Sequence, residues 1–258
     1  MIKLGFIGNK EMFDIFIEAN KEDNNFELVF IDIKNDYYKK FDLDYVMVRA
    51  TNLHANLVKQ FVLNNLNINF IDNLERFTEI KSKYETSIER YKLGIGAKTF
   101  KDVDFFTPFP IVGKPIMGNK CKGIQYLHSY NEYLEWKKSV NLDEYFFQEK
   151  LNLCNEFRVL TFYINNTYKF FTVKKKTICG IKNNQKKLNP TKSLYKFIKE
   201  NRPDKVGIIG YDIGQLQNGN FVIIEENRSP LFDRVQRRLN IDIPKELLNF
   251  IYKTHIKD

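Results

Sequence analysis

The first part of the chain, to about Thr78, constrains the fold most, because short apolar runs alternate there with stretches of helical periodicity. Ile2 to Ile7, Glu27 to Ile33, Tyr45 to Val48 and Ile68 to Ile71 read as strands. Met12, Phe13, Ile15, Phe16 and Ala19 recur at helical spacing within Glu11 to Ala19, and Leu53 to Leu63 is a second such stretch. Repeated β-α-β predicts a parallel sheet with helices packed on it. The turn Gly5-Phe6-Ile7-Gly8 looks like the start of a dinucleotide fingerprint, but Glu11 stands where a further glycine belongs. It therefore reads as a fold-building turn rather than a nicotinamide site.

Beyond Thr78 the pattern becomes mixed. Ser82-Lys83-Tyr84-Glu85 has capping-box spacing and predicts a helix to about Leu93, ended by Gly94-Ile95-Gly96. Lys98 to Lys101 reads as extended, and Ile111-Val112-Gly113-Lys114 as a short strand among prolines. A loop with two glycines and two lysines follows, from Met117 to Ile124. Ser129-Tyr130-Asn131-Glu132 is a second capping box, and Tyr145 to Leu151 a strand. Phe157 to Ile164 and Tyr168 to Lys176 predict a hairpin about Asn165-Asn166. A helix from Pro190 to Asn201, a hairpin from Val206 to Ile224 and a last helix from Pro244 to about Lys253 complete the reading.

That second hairpin holds the residues best suited to chemistry. Its strand Phe221 to Ile224 delivers Glu225 and Asn227 to one face and Glu226 to the other. Asp212 comes from the preceding strand, Val206 to Ile213, so if the two strands pair as a hairpin two carboxylates and an amide oxygen can converge. A hard oxygen set of this kind suits Mg²⁺ carrying substrate phosphates rather than Zn²⁺. Polar residues at hairpin ends are common, and the pattern alone does not separate a metal site from a solvated turn.

Composition narrows the partners. Across 258 residues, 41 Lys and Arg against 32 Asp and Glu give a net charge of +9. This favours anionic partners: nucleotide phosphates, acidic metabolites or nucleic acid. Heavy use of Asn, Lys, Ile, Phe and Tyr, as in an AT-rich genome, makes part of that charge background. Cys121, Cys154 and Cys179 form no disulfide framework or metal knuckle, which fits a reducing cytoplasm. No apolar stretch reaches membrane-spanning length, and the N-terminal run is short for a signal peptide. His54, His128 and His255 lack matched partners, so Ser-His-Asp and Cys-His catalysis find no support.

Taken in order, the remaining polar residues form a series. Lys83 opens a helix, Lys114 ends a strand, and the Gly118–Gly123 loop follows. Then come Gln148-Glu149-Lys150-Leu151, Arg158, Asp212 and Glu225-x-Asn227. Over about residues 80–232 this order resembles the ATP-grasp superfamily, most closely its small carboxylate–amine ligases of the ribosomal-protein glutamate ligase type. The resemblance implies an α/β fold, α+β in its C-terminal part. A Rossmann-like pre-ATP-grasp domain (1–78) would precede an ATP-grasp region (79–258), divided into a lysine and glycine-loop subdomain (79–146) and a hinge and metal subdomain (147–258).

It also implies roles. Lys83 and Lys114 match lysines on the nucleotide phosphates, and Gly118, Lys120, Lys122 and Gly123 lie in the loop that closes over them. Gln148, Glu149, Lys150 and Leu151 match the hinge that holds adenine. Arg158 matches the arginine that stabilises the transferring phosphoryl group, with Lys174 adding to it. Asp212, Glu225 and Asn227 match ligands of Mg²⁺, or Mn²⁺ in its place. Arg228 and Arg234 are candidates for a substrate carboxylate or phosphate. Read singly, Lys120, Lys122 and the run Lys174-Lys175-Lys176 are equally solvated charges, and Arg158 a surface strand residue.

The implied reaction is ATP-dependent amide formation through an acylphosphate, with ATP and small-molecule or peptide carboxylates and amines as partners. Two other readings stand beside it. One is an ATP-grasp kinase acting on a polyanionic or polyhydroxylated acceptor. The other is a nucleic-acid-binding protein using the basic stretch Lys169 to Lys199 with Phe170, Phe171, Tyr195 and Phe197 as stacking platforms; it leaves Asp212 and Glu225 unexplained. Oligomeric state stays open, a homo-oligomer included.

Overall fold

The computed structural model describes residues 1–50, 52–72, 74–78, 81–117, 122–175, 177–178, 181–182, 192–201 and 207–255. The first unit runs β1 (Ile2–Ile7), α1 (Lys10–Asn20), β2 (Phe26–Ile31), α2 (Ile33–Asp36), β3 (Tyr45–Val48), α3 (Ala55–Asn64), β4 (Asn69–Phe70) and α4 (Glu75–Thr78). Its strands form a parallel sheet in the order β2-β1-β3-β4. The second strand is shorter than its apolar pattern suggests. Asp32 accepts from the Lys34 N–H at 3.2 Å and caps α2, so Ile33 begins a turn of helix.

Next come α5 (Lys83–Lys92), β5 (Thr99–Phe100), β6 (Ile111–Pro115), β7 (Gln125–Leu127), α6 (Tyr130–Trp136) and β8 (Tyr145–Glu149). They build an antiparallel sheet in the order β5-β8-β6-β7. The Ser82 capping box is complete. The Ser129 one is half made: Ser129 Oγ accepts from the Glu132 N–H, but the Glu132 carboxylate accepts from the His128 N–H instead.

The remainder is β9 (Leu153–Ile164), β10 (Thr167–Lys174), β11 (Thr177–Ile178), β12 (Ile181–Lys182), α7 (Lys192–Glu200), β13 (Gly207–Leu216), β14 (Phe221–Asn227), α8 (Asp233–Leu239) and α9 (Ile243–His255). A third large sheet is antiparallel in the order β10-β9-β13-β14. Asn165 and Asn166 join its first hairpin with φ of 45° and 60°. Positive φ at both central residues is what a type I′ turn requires.

Alternation along β9 and β13 gives this sheet two apolar faces. Leu160, Phe162 and Ile208 join one core with Leu4 and Phe6 of β1, Phe16 of α1 and Leu247 and Ile251 of α9. Phe157, Val159, Ile209 and Ile213 face another, with Ile95 and with Leu194 and Ile198 of α7. The first sheet is thus locked against the third by a shared core, and the ends of both meet. Among the described residues no helix is long and apolar enough to cross a membrane.

Candidate functional site

Three strands set the site by their register. Arg158 on β9 is opposite Asp212 on β13, and Asp212 is opposite Glu225 on β14. Directly opposed residues project from one face, so the three form a row across the sheet. A bulge in β14 makes the row possible, since Asp212 pairs with Glu225 but Ile213 pairs with Ile223, leaving Ile224 extra. In a regular strand Ile223 and Glu225 would share a face. The extra residue lets Ile223 enter the core beside Ile213 while Glu225 stays beside Asp212. Asn227, opposite Gly210, keeps the Glu225 face, and Glu226 points the other way to Arg90, 3.4 Å away.

Asp212 is 4% exposed and heavily paired. Arg158 Nη2 donates to its Oδ2 at 2.9 Å, and Arg158 Nε also contacts the carboxylate. Lys175 Nζ is 2.7 Å from the same Oδ2 and pairs with Glu156 as well. Glu225 meets Lys83 at 3.4 Å. The Lys83 N–H reaches the Ile116 carbonyl at 3.4 Å, so the start of α5 touches both β14 and the residue just after β6.

The second sheet supplies the other half. Lys114 and Gln148 project from one face of β6 and β8, and Lys114 Nζ donates to Gln148 Oε1. Gln148 Nε2 donates to Thr99 Oγ1 at 2.8 Å, which fixes the amide and through it the lysine. At the end of β8 the Glu149 N–H bonds the Lys98 carbonyl (3.0 Å) and the Lys150 N–H the Pro110 carbonyl (3.1 Å). Glu149 accepts from the Lys98 N–H at 2.8 Å, so its carboxylate braces backbone. Segment 95–98 links the two halves, because the Ile95 carbonyl accepts from the Ile223 N–H of β14 at 2.7 Å. Three residues span at most about 11 Å, which holds the end of β8 near β14.

Other sequence candidates fall outside this convergence. Lys174 pairs across to Phe157 and lies on the opposite face from Arg158. Its neighbour Lys175 takes the place beside Asp212 instead. That role was readable only indirectly: Glu156 and Arg158 are two apart on β9 and share a face, which marks an acidic seat for one more cation. Gly123 has φ 78°, and a Cβ there would lie 2.9 Å from Pro115, so this end of the loop needs glycine. Lys122 is exposed in the same turn. Gly118 and Lys120 lie outside the described residues, as does the side chain of Arg234. Arg228 is half-buried just after Asn227. The aromatics of the basic stretch pack on one another: Phe170 stacks on Tyr195 at 4.7 Å and beside Tyr168 at 5.8 Å.

No group of three or more His, Cys, Asp or Glu side chains is arranged to hold a metal among the described residues. Asp212 is engaged by two cations, so Glu225 and the Asn227 amide are the oxygens most open to one. This donor set fits Mg²⁺, which commonly takes one or two carboxylates and draws its other ligands from phosphates and water.

The architecture matches solved structures closely. N5-carboxyaminoimidazole synthetase from Staphylococcus aureus, complexed with ADP, superposes with a TM-score of 0.64 at 14% identity, over 89% of this chain and 71% of that one. The ligase PsnB, solved with its minimal precursor and described as ATP-grasp, gives 0.64 at 13% identity over 98% and 99% of the two chains. D-alanine–D-alanine ligase from Bacillus anthracis, complexed with ATP, gives 0.62 at 15% identity over 99% and 97%. The chain has the ATP-grasp fold. No family model and no curated protein matches the sequence.

Within this fold the position of Lys83 depends on a cap. Ser82 Oγ accepts from the Glu85 N–H (3.1 Å), and the Glu85 carboxylate accepts from the Ser82 N–H (2.7 Å). Those bonds, the Ser82 N–H foremost, hold the Glu85 carboxyl below its usual range. Ser82→Ala is expected to cost about 1 kcal/mol in urea unfolding.

Proposed function

We propose that the chain is an ATP- and Mg²⁺-dependent ligase that joins a carboxylate to an amine through an acylphosphate. The observation that carries this reading is the Arg158–Asp212–Glu225 row, met by Lys83, together with the Lys114–Gln148 pair on the second sheet, in an ATP-grasp fold. A triphosphate needs several fixed cations and little covalent help, since phosphoryl transfer is mostly positioning and charge neutralisation.

Each side chain has a task in this reading. Lys83 and Lys114 take phosphate oxygens, Lys114 being aimed by Gln148. The hinge 148–151 receives adenine; with the Glu149 and Lys150 N–H groups engaged, Leu151 offers the next donor. Arg158 faces the transferring phosphoryl group, held in orientation by Asp212, and Lys175 balances Asp212 so that the pair does not collapse. Glu225 and the Asn227 amide would hold a magnesium ion, which would supply charge neutralisation to the transferring phosphoryl group. A carboxylate oxygen attacks the γ-phosphorus and ADP leaves. The amine nitrogen then attacks the acyl carbon, phosphate leaves, and the amine loses a proton.

Hydroxylamine tests this directly. Protein incubated with Mg–ATP, a panel of amino acids and short peptides, and hydroxylamine is expected to yield hydroxamate and ADP together. ADP with a stable phosphate ester and no hydroxamate contradicts the ligase reading and favours a kinase.

A further inference from the structure

Arg49 follows β3 at the C-terminal edge of the first sheet and takes no part in the cluster around Asp212. It is only 4% exposed. Its backbone is tied on both sides: its N–H donates to the Ile7 carbonyl at 2.6 Å, and its carbonyl accepts from Ser229 Oγ at 3.1 Å. One guanidinium nitrogen, Nη2, donates to the Pro230 carbonyl at 2.6 Å, and the Phe232 ring lies 4.9 Å from the guanidinium carbon. The other two, Nε and Nη1, are buried with no hydrogen-bond partner among the described residues.

The nearby acid does not resolve this. Asp72 accepts from the Val48 N–H at 2.8 Å and the Ile208 N–H at 3.2 Å, bracing the first sheet against β13. Burial pushes Arg49 down to about 10, and the Asp72 charge only partly opposes it. A buried cation with unfilled donors is costly, and native structures normally fill such sites. The planar guanidinium suits an oxyanion better than any other partner.

The location gives the anion a purpose. Open α/β sheets take ligands outside the carboxyl ends of their strands. Arg49 is at such an end, packed against Gly8 so closely that a Cβ on Gly8 would lie 3.0 Å from the Arg49 Cβ. The segment covering Arg49, residues 228–232, continues directly from Asn227. Pro230 is three residues past Asn227, at most about 11 Å along the chain.

We infer that Arg49 binds an oxyanion of the co-substrate, a carboxylate or a phosphate, and that residues 228–232 are its movable cover. The Pro230 carbonyl holds the place of an anionic oxygen until that group arrives. The inference rests on the ligase reading only in assigning the anion to a co-substrate.

The test needs no turnover. Protein labelled with ¹⁵N-arginine is titrated, without nucleotide, with inorganic phosphate and separately with glutarate, following the Arg49 Nε–H resonance identified in wild-type protein by its nuclear Overhauser contact with the Phe232 ring. The expected result is a saturable shift of that resonance with one probe, which also distinguishes phosphate from carboxylate. Arg49→Lys is expected to weaken that probe about tenfold, as loss of a charge-assisted fork implies. Ser229→Ala, which loosens the cover without touching the guanidinium, is expected to bind the probe at least as tightly as wild type. An Arg49 resonance unmoved by both probes in wild-type protein overturns the inference, whether or not the lysine variant folds. Absence of hydroxamate alongside an Arg49 shift removes the ligase reading and leaves the oxyanion site standing.

Discussion

Asp212→Asn is expected to lower the free energy of unfolding by about 3 kcal/mol, toward the lower end of the cost of breaking a buried ion pair. The carboxylate is 4% exposed and answers two cations, Arg158 and Lys175. An amide of the same shape keeps a hydrogen bond to one of them and neutralises neither. The cations are about a quarter exposed, at 22% and 26%, so solvent recovers part of the loss. Urea denaturation of the single variant and of Asp212→Asn with Arg158→Met gives a coupling energy. The double variant is expected to regain part of the deficit, because it buries one fewer unpaired charge. Equal stability of Asp212→Asn and wild type would mean that the row is a surface ornament.

Arg158→Lys is expected to cut turnover by two to three orders of magnitude, in the range of removing a transition-state charge, while changing Mg–ATP affinity by less than about fivefold. Lysine keeps the charge but loses the planar fork that lets one edge rest on Asp212 while the rest faces the transferring group. A purely structural role for Arg158 gives another pattern: lysine would then restore both stability and rate. Single-turnover ADP formation, measured beside the unfolding curve, separates the two.

Much of this arrangement was legible in the sequence, for reasons specific to the residues. Glu225, Glu226 and Asn227 end a strand, and period-two alternation sorted them onto two faces as the structure has them. Capping at Ser82 and the Asn165-Asn166 turn are local signals with local causes, and both formed. The bulge at Ile224 was invisible, because it depends on which residue of β13 each side of it meets. Lys175 was hidden for a related reason: it lies past the end of β10, where alternation no longer sets direction. Arg49 gave no signal at all. Its meaning comes from Ser229, Pro230 and Phe232, about 180 residues away along the chain, and from burial that only the packed core reveals.

The most direct test of the central claim is calorimetric titration of Mg–ATP into wild-type protein and into Glu225→Gln. Glu225 is 42% exposed on its side chain and bears one ion pair among the described residues, so its replacement leaves the fold intact where Asp212 variants do not. Wild-type protein is expected to bind ATP tightly only with Mg²⁺ present, and Glu225→Gln to lose about tenfold or more of that Mg²⁺-dependent affinity. Well-folded wild-type protein that binds no ATP, or binds it equally well with and without Mg²⁺ and with and without the Glu225 carboxylate, would contradict the account.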